Sequence, residues 1–99
     1  MKITFVVYHN VLEDKVTGLL EKHKIDAFTE WEHVIGKFKG SEGHLGTRVH
    51  PGHRNVRMIP FMEDAELKEF IDDVRAINEG VQRKQDEIRV FQLPLEAIV

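Results

Sequence analysis

Histidine is the residue most able to do chemistry in this chain. Six occur in 99 residues, and His44, His50 and His53 fall within ten positions, close to Glu42 and among Gly40, Gly43, Gly46 and Gly52. Neutral imidazole is the commonest protein ligand for zinc, copper and nickel, so three such rings with an open position make a workable site for a divalent transition metal. A glycine-rich loop is entropically costly to order, and coordination by several imidazoles would offset that cost. The spacing nevertheless matches no tight metal motif, and solvated loop histidines are the plainer reading. His33, beside Glu30 and Glu32, could add ligands across a subunit boundary, although a wet strand face accounts for it equally simply. His9 and His23 are expected at a strand end and at a helix C-terminus, where a protonated imidazole suits the helix dipole.

Catalysis finds little to work with. The chain has no cysteine, its one serine is Ser41, and no Asp or Glu stands at triad or metal-hydrolase spacing from a histidine. The reading is therefore of a protein that is not an enzyme. Fourteen Lys and Arg against seventeen Asp and Glu leave a net charge of −3, which gives no drive toward a nucleic-acid backbone. The apolar run Ile3–Tyr8 is too short for a signal-peptide core or a membrane span. A cytoplasmic protein without direct membrane insertion is expected.

These residues need elements to position them. Ile3–Tyr8, apolar, β-branched and aromatic, reads as a central strand. Asn10, three residues before Glu13, resembles a capping-box start for a helix carrying Leu12, Val16, Leu19, Leu20 and His23 to about Lys24. Residues 25–38, with Phe28, Trp31, Val34, Ile35 and Phe38, favour a long second strand. Lys39–Arg54 reads as a loop. Asn55–Met62 returns to strand composition, with Pro60 near the strand end. Glu63 and Asp64 open a second helix with the core stripe Leu67, Phe70, Ile71, Val74 and Ile77, and Gly80 fits its C′ position. A polar connector, 81–87, leads to a last strand over Ile88–Leu95, with Pro94 at an edge or end.

The order β-α-β-β-α-β predicts one domain over residues 1–99. It is an α+β, ferredoxin-like sandwich with a four-stranded antiparallel sheet and both helices on one face. The other sheet face then lacks a cover. Trp31, Phe61, Leu93, Leu95, Ile98 and Val99 exceed what one helical layer can hide, so sheet faces are expected to pack together in a homo-oligomer. Acylphosphatases share this topology, but their glycine-rich loop with an arginine is here Tyr8-His9-Asn10-Val11-Leu12.

The topology, the length, the second strand running Phe28-Thr29-Glu30-Trp31-Glu32-His33-Val34-Ile35-Gly36-Lys37-Phe38-Lys39-Gly40, and the following His44-Leu45-Gly46-Thr47, Pro51-Gly52 and Asn55 resemble the PII-like signalling proteins, in particular the short-loop subgroup. The resemblance implies a homotrimer that binds a small effector in subunit clefts, with Gly36, Lys37, Arg83 and Lys84 as contacts and an adenine nucleotide as one candidate. It also implies a loop, through Gly43, Leu45, Gly46 and Thr47, that touches a regulated partner such as a membrane transporter. The nucleotide-binding members carry a Thr-Gly-x-x-Gly-Asp-Gly turn before the last strand. This chain has Glu79-Gly80-Val81-Gln82-Arg83-Lys84-Gln85-Asp86-Glu87 there, leaving Arg83 and Lys84 as the phosphate contacts. The loop tyrosine that some members modify is absent, since Tyr8 is the only tyrosine. The alternative is a metal sensor or metal-tolerance protein built on His44, His50 and His53.

Overall fold

The structure, a computed structural model, describes residues 1–36 and 53–99. Its elements follow the expected order: β1 (Lys2–His9), α1 (Glu13–Lys22), β2 (Thr29–Ile35), β3 (His53–Phe61), α2 (Asp64–Glu79) and β4 (Arg89–Pro94). The four strands form one sheet in the order β2-β3-β1-β4, with every neighbouring pair antiparallel. This is the ferredoxin-like α+β arrangement.

Period-two burial shows which face each strand turns to the helices. In β1, Thr4, Val6 and Tyr8 are buried, and their partners on β3, Ile59, Arg57 and Asn55, are buried with them. Against this face lie Val16, Leu19 and Leu20 of α1 and Leu67, Phe70 and Val74 of α2. Burying a side chain such as Ile59 or Phe70 stabilises the fold by about 1.5–3 kcal/mol. Phe61, expected among the surplus apolar residues, belongs to this core instead, its ring 5.3 Å from that of Phe70. The opposite face carries Ile3, Phe5 and Val7 of β1, flanked by Phe91 and Leu93 of β4 and by Val56, Met58 and Trp31. Trp31, Phe91 and Leu93 remain 45, 51 and 53 % exposed.

Several boundaries differ from expectation, each for a local reason. The α1 entry is a 3-10 turn at Asn10–Leu12, capped by His9, whose Nδ1 accepts from the Val11 N–H at 3.2 Å, so Asn10 is not the cap. The α1 exit is a Schellman motif without glycine. Lys24 takes φ 55°, its N–H donates to Glu21 O, and the Ile25 N–H donates to Leu20 O at 2.8 Å. Residues 25–28 consequently run as irregular backbone before β2 rather than as its first part, with Ile25 packed on the core. Gly80 caps α2 at φ −88°, a right-handed value any residue adopts, so it is not a left-handed C′ glycine. β3 begins at His53, not Asn55. Arg54 pairs with His9 on one side and Val34 on the other, so a cation expected in the loop is a sheet residue. Pro60 lies past Met58, where β2 stops pairing, and the missing N–H therefore interrupts no β2–β3 bond.

Candidate functional site

Three strand ends and the 81–88 connector meet at one pole of the sheet. Here β1 ends at His9, β2 runs out through Ile35 to Gly36, and β3 starts at His53. Asn78, in the last turn of α2, clamps the connector to the helix: its Nδ2 donates to Ile88 O at 2.9 Å and its Oδ1 accepts from the Ile88 N–H at 2.7 Å. Burial of Ile88 between them fixes where Arg89 enters the sheet, opposite Val7. Ahead of this clamp the connector tightens into a 3-10 turn at Lys84–Asp86, with the Asp86 N–H on Arg83 O and the Glu87 N–H on Lys84 O.

Arg54 joins the parts of this pole. Its aliphatic stem lies so close over Gly36 that a Cβ there would stand 2.7 Å from Arg54 Cδ, a contact only glycine avoids. Its Nη2 donates to Gln85 O on the connector at 3.3 Å. Burial pushes the Arg54 guanidinium below its ordinary proton affinity, Asp86 nearby works the other way, and Arg89 adds like-charge repulsion. The like charge that Arg89 adds beside Arg54 favours an anion at this pole. Arg83 and Lys84 stand exposed on the same connector.

The structure thus brings Gly36 together with the connector that bears Arg83 and Lys84. Lys37, Gly43, Leu45, Gly46, Thr47, His44 and His50 lie outside the described residues. His53 is exposed at the start of β3, and its ring meets that of His33 at 6.1 Å between centroids. Among the described residues, no three His, Asp or Glu side chains converge as a ready ligand set. Sequence reasoning missed Arg54 and Arg89. A signal was present, since both arginines directly precede or open runs of strand composition.

A second polar cluster, also missed, lies on the helix face. Glu13, at the start of α1, accepts from Tyr8 Oη and from Asn55 Nδ2, both at 2.6 Å, and pairs with Arg57 Nη2. Arg57 also donates from Nε to Tyr8 Oη at 3.2 Å and reaches Glu30 on β2 at 2.9 Å, with its guanidinium over the Phe28 ring at 4.7 Å. Burial alone would raise the Glu13 carboxyl, but the Tyr8, Asn55 and Arg57 donors outweigh it and hold it below its ordinary value. Glu30 is raised, first by burial and then by a hydrogen bond shared with Glu32, while Arg57 pulls it down. Burial and the Glu13 carboxylate raise Tyr8. Arg57 thus bridges Glu13 of α1 and Glu30 of β2 from β3, which suits a structural tie between the three elements.

A third region, at the pole opposite Gly36, is a cleft of about 470 Å³ between the end of α1 and the start of α2, lined in part by Lys22, Lys24, Asp26, Met62 and Glu66. At its margin His23 Nε2 lies 2.7 Å from Asp73 Oδ2, which Lys22 also contacts at 2.9 Å. Acid and base alternate around this cleft, and no single sign of charge dominates.

Neither a protein-family model nor a curated protein matches the sequence. The architecture does match solved structures. CPII from Thiomonas intermedia, bound to ADP, AMP and acetate, aligns at a TM-score of 0.69 with 11 % identity over 92 % of this chain and 81 % of that one. The same protein, described as nitrogen regulatory and PII-like, aligns with ADP, AMP and bicarbonate bound at 0.67, with 11 % identity and coverage of 97 and 94 %. With ADP and bicarbonate it aligns at 0.66, with 14 % identity and coverage of 93 and 82 %. The chain therefore has the PII-like fold over nearly its whole length. Among the described residues, no helix is long and apolar enough to cross a membrane.

Proposed function

We propose that this protein is a PII-like regulatory subunit that binds an adenine nucleotide at the pole formed by Gly36, Arg54, Arg89 and the connector bearing Arg83 and Lys84. The observation that carries the reading is Arg54, which packs on Gly36, bonds the connector at Gln85 and shares its field with Arg89. A phosphate placed here would receive charge-assisted hydrogen bonds from several cations without the glycine-rich turn of other PII-like proteins. Structures of the same fold with ADP, AMP and bicarbonate support an anionic ligand of this class. In the sequence, Lys37 and Gly43–Thr47 fall between Gly36 and His53, two residues of this pole, so this stretch is the one through which a bound nucleotide would change what the protein presents to a partner, for which a membrane transporter is the candidate. The reading is regulatory rather than catalytic, and cytoplasmic.

The assembly is a homotrimer in which the open sheet faces pack inward. The rows Phe91–Phe5–Met58 and Leu93–Ile3–Pro60 supply the apolar surface, continued by the chain end, where the Leu95 N–H donates to Met1 O at 3.1 Å. Sedimentation at micromolar concentration checks this, and a stable monomer would rule it out. Removing residues 95–99 should weaken assembly, each large side chain lost from the interface costing on the order of 1.5–3 kcal/mol if fully buried there.

Calorimetry with ADP, AMP and ATP, with and without bicarbonate, tests the nucleotide reading. Wild type is expected to bind at least one of them, and the Arg83→Ala/Lys84→Ala variant to lose that binding. A wild type that binds none of them, or a double variant that binds as well as wild type, overturns the assignment.

A further inference from the structure

The meeting of His33 and His53 has a structural cause that the fold does not need. Between Trp31 and Val34 the register of β2 against β3 slips, and at this bulge His33 adopts φ 57°. The left-handed region is uncommon for a residue with a Cβ, although histidine enters it more readily than most. The conformation is held by the His33 N–H, which donates to Asn55 Oδ1 at 3.2 Å, and Asn55 is itself anchored on Glu13 at 2.6 Å. A chain of side-chain hydrogen bonds through Asn55 and Glu13 thus holds one exposed residue at the bulge. Bulges re-aim side chains and are over-represented next to functional sites.

The bulge brings the His33 ring to the His53 ring on the neighbouring strand. Their centroids lie 6.1 Å apart with the planes at 82°. A metal sits about 2.0–2.1 Å from each imidazole nitrogen, so two rings at adjacent positions of a tetrahedral or tetragonal ion would have centroids roughly 4.5–5 Å apart. The observed pair, at 6.1 Å, is within about 1.5 Å of that spacing, and rotation of two exposed side chains closes the difference. The Glu32 carboxylate stands 3.9 Å from His33 Nε2, adding negative charge beside the pair.

The geometry points to a two-imidazole chelate at His33 and His53 that binds a divalent late transition ion, with copper favoured over nickel and zinc. Water completes the coordination, and the Glu32 carboxylate supplies charge nearby. The site is independent of the nucleotide reading: it uses neither Arg54 nor the 81–88 connector, so either can fail without the other. It differs from a site made by loop histidines because both nitrogen donors belong to paired strands.

The test uses the full, untagged chain. Copper, nickel and zinc ions are titrated calorimetrically, and the copper form is read by electron paramagnetic resonance for nitrogen coupling. His33→Asn removes the ring while keeping a residue that tolerates positive φ, and His53→Gln removes the other ring at an exposed strand start. Far-UV circular dichroism confirms that both variants fold. Wild type is expected to bind one copper per chain with coupling to two nitrogens. Either substitution should weaken binding by roughly 100-fold, because one monodentate imidazole replaces a preorganised pair. The His44→Ala/His50→Ala variant should bind as wild type does. Absence of binding by wild type, undiminished binding in His33→Asn and His53→Gln, or loss confined to His44→Ala/His50→Ala would each overturn the proposal.

Discussion

The Glu13–Arg57 cluster on the helix face and the Arg54 pole at the strand ends are both built from arginines in β3, three residues apart, yet they are opposite in character. Arg57 is enclosed by Glu13, Glu30, Tyr8 and the Phe28 ring. Arg54 shares its surroundings with another arginine and one aspartate, beside a glycine that leaves the backbone bare. Alternation decides which is which: odd steps from Arg57 leave the helix face, so Arg54 belongs with Val56 and Met58 on the other side. The Arg57 network ties α1, β2 and β3 together, whereas the Arg54 pole sets two arginines at the strand ends beside the connector.

The largest effect should come from Arg57→Leu. Removing one partner of a buried ion pair leaves the others uncompensated, at a cost of about 3–5 kcal/mol. Urea unfolding should show this loss, whereas a change below about 1 kcal/mol would mean that Arg57 ties nothing together. Arg54→Gln should reverse the pattern. It gives up a hydrogen bond to Gln85 worth about 1 kcal/mol in stability, but nucleotide affinity should fall roughly 10- to 100-fold, as expected for losing charged contacts of about 1.5–3 kcal/mol. Calorimetry beside the same urea series separates the two, and equal losses of stability and affinity in both variants would erase the distinction.

A smaller effect is a pH dependence inside the closed cluster. Glu13 is held below its ordinary value of 4.5, so its contribution is present above that pH and is lost as pH falls through the lowered value. Glu13→Gln should therefore be less stable than wild type at neutral pH, with the gap narrowing on acidification below 4.5. Glu30 is shifted upward and has the opposite sign, favouring the fold when protonated and losing that advantage as pH rises through its raised value. Stability curves of Glu13→Gln and Glu30→Gln against pH should diverge from wild type in opposite directions, and parallel curves would contradict the assignment.

Much of the fold was legible because burial leaves a period. The α2 stripe from Leu67 to Ile77 and the β1 run mark their elements directly, and the PII-like resemblance follows from their order. What was hidden depended on polar residues doing a non-polar residue's job. Arg54 reads as loop because glycine, histidine and proline precede it, although its stem packs like an aliphatic side chain on Gly36. Glu13 reads as a capping partner of Asn10, but its carboxylate points to strands that only the tertiary fold brings near. Lys24 ends α1 in a left-handed conformation that composition would assign to glycine. The sequence pointed to Gly36 and to the connector bearing Arg83 and Lys84, but not to Arg54, whose stem lies over Gly36 and whose guanidinium bonds that connector at Gln85.

The most direct test of the nucleotide pole is a backbone amide spectrum of the assembled protein titrated with ADP. The account predicts shifts concentrated at Gly36, Arg54, Gln85 and Arg89, with the amides of Tyr8, Glu13 and Arg57 following weakly and those of Ile25, Ala27 and Met62 unmoved. Shifts centred on Ile25, Ala27 and Met62, at the 470 Å³ cleft of the opposite pole, or a spectrum that ADP leaves unchanged, would contradict it.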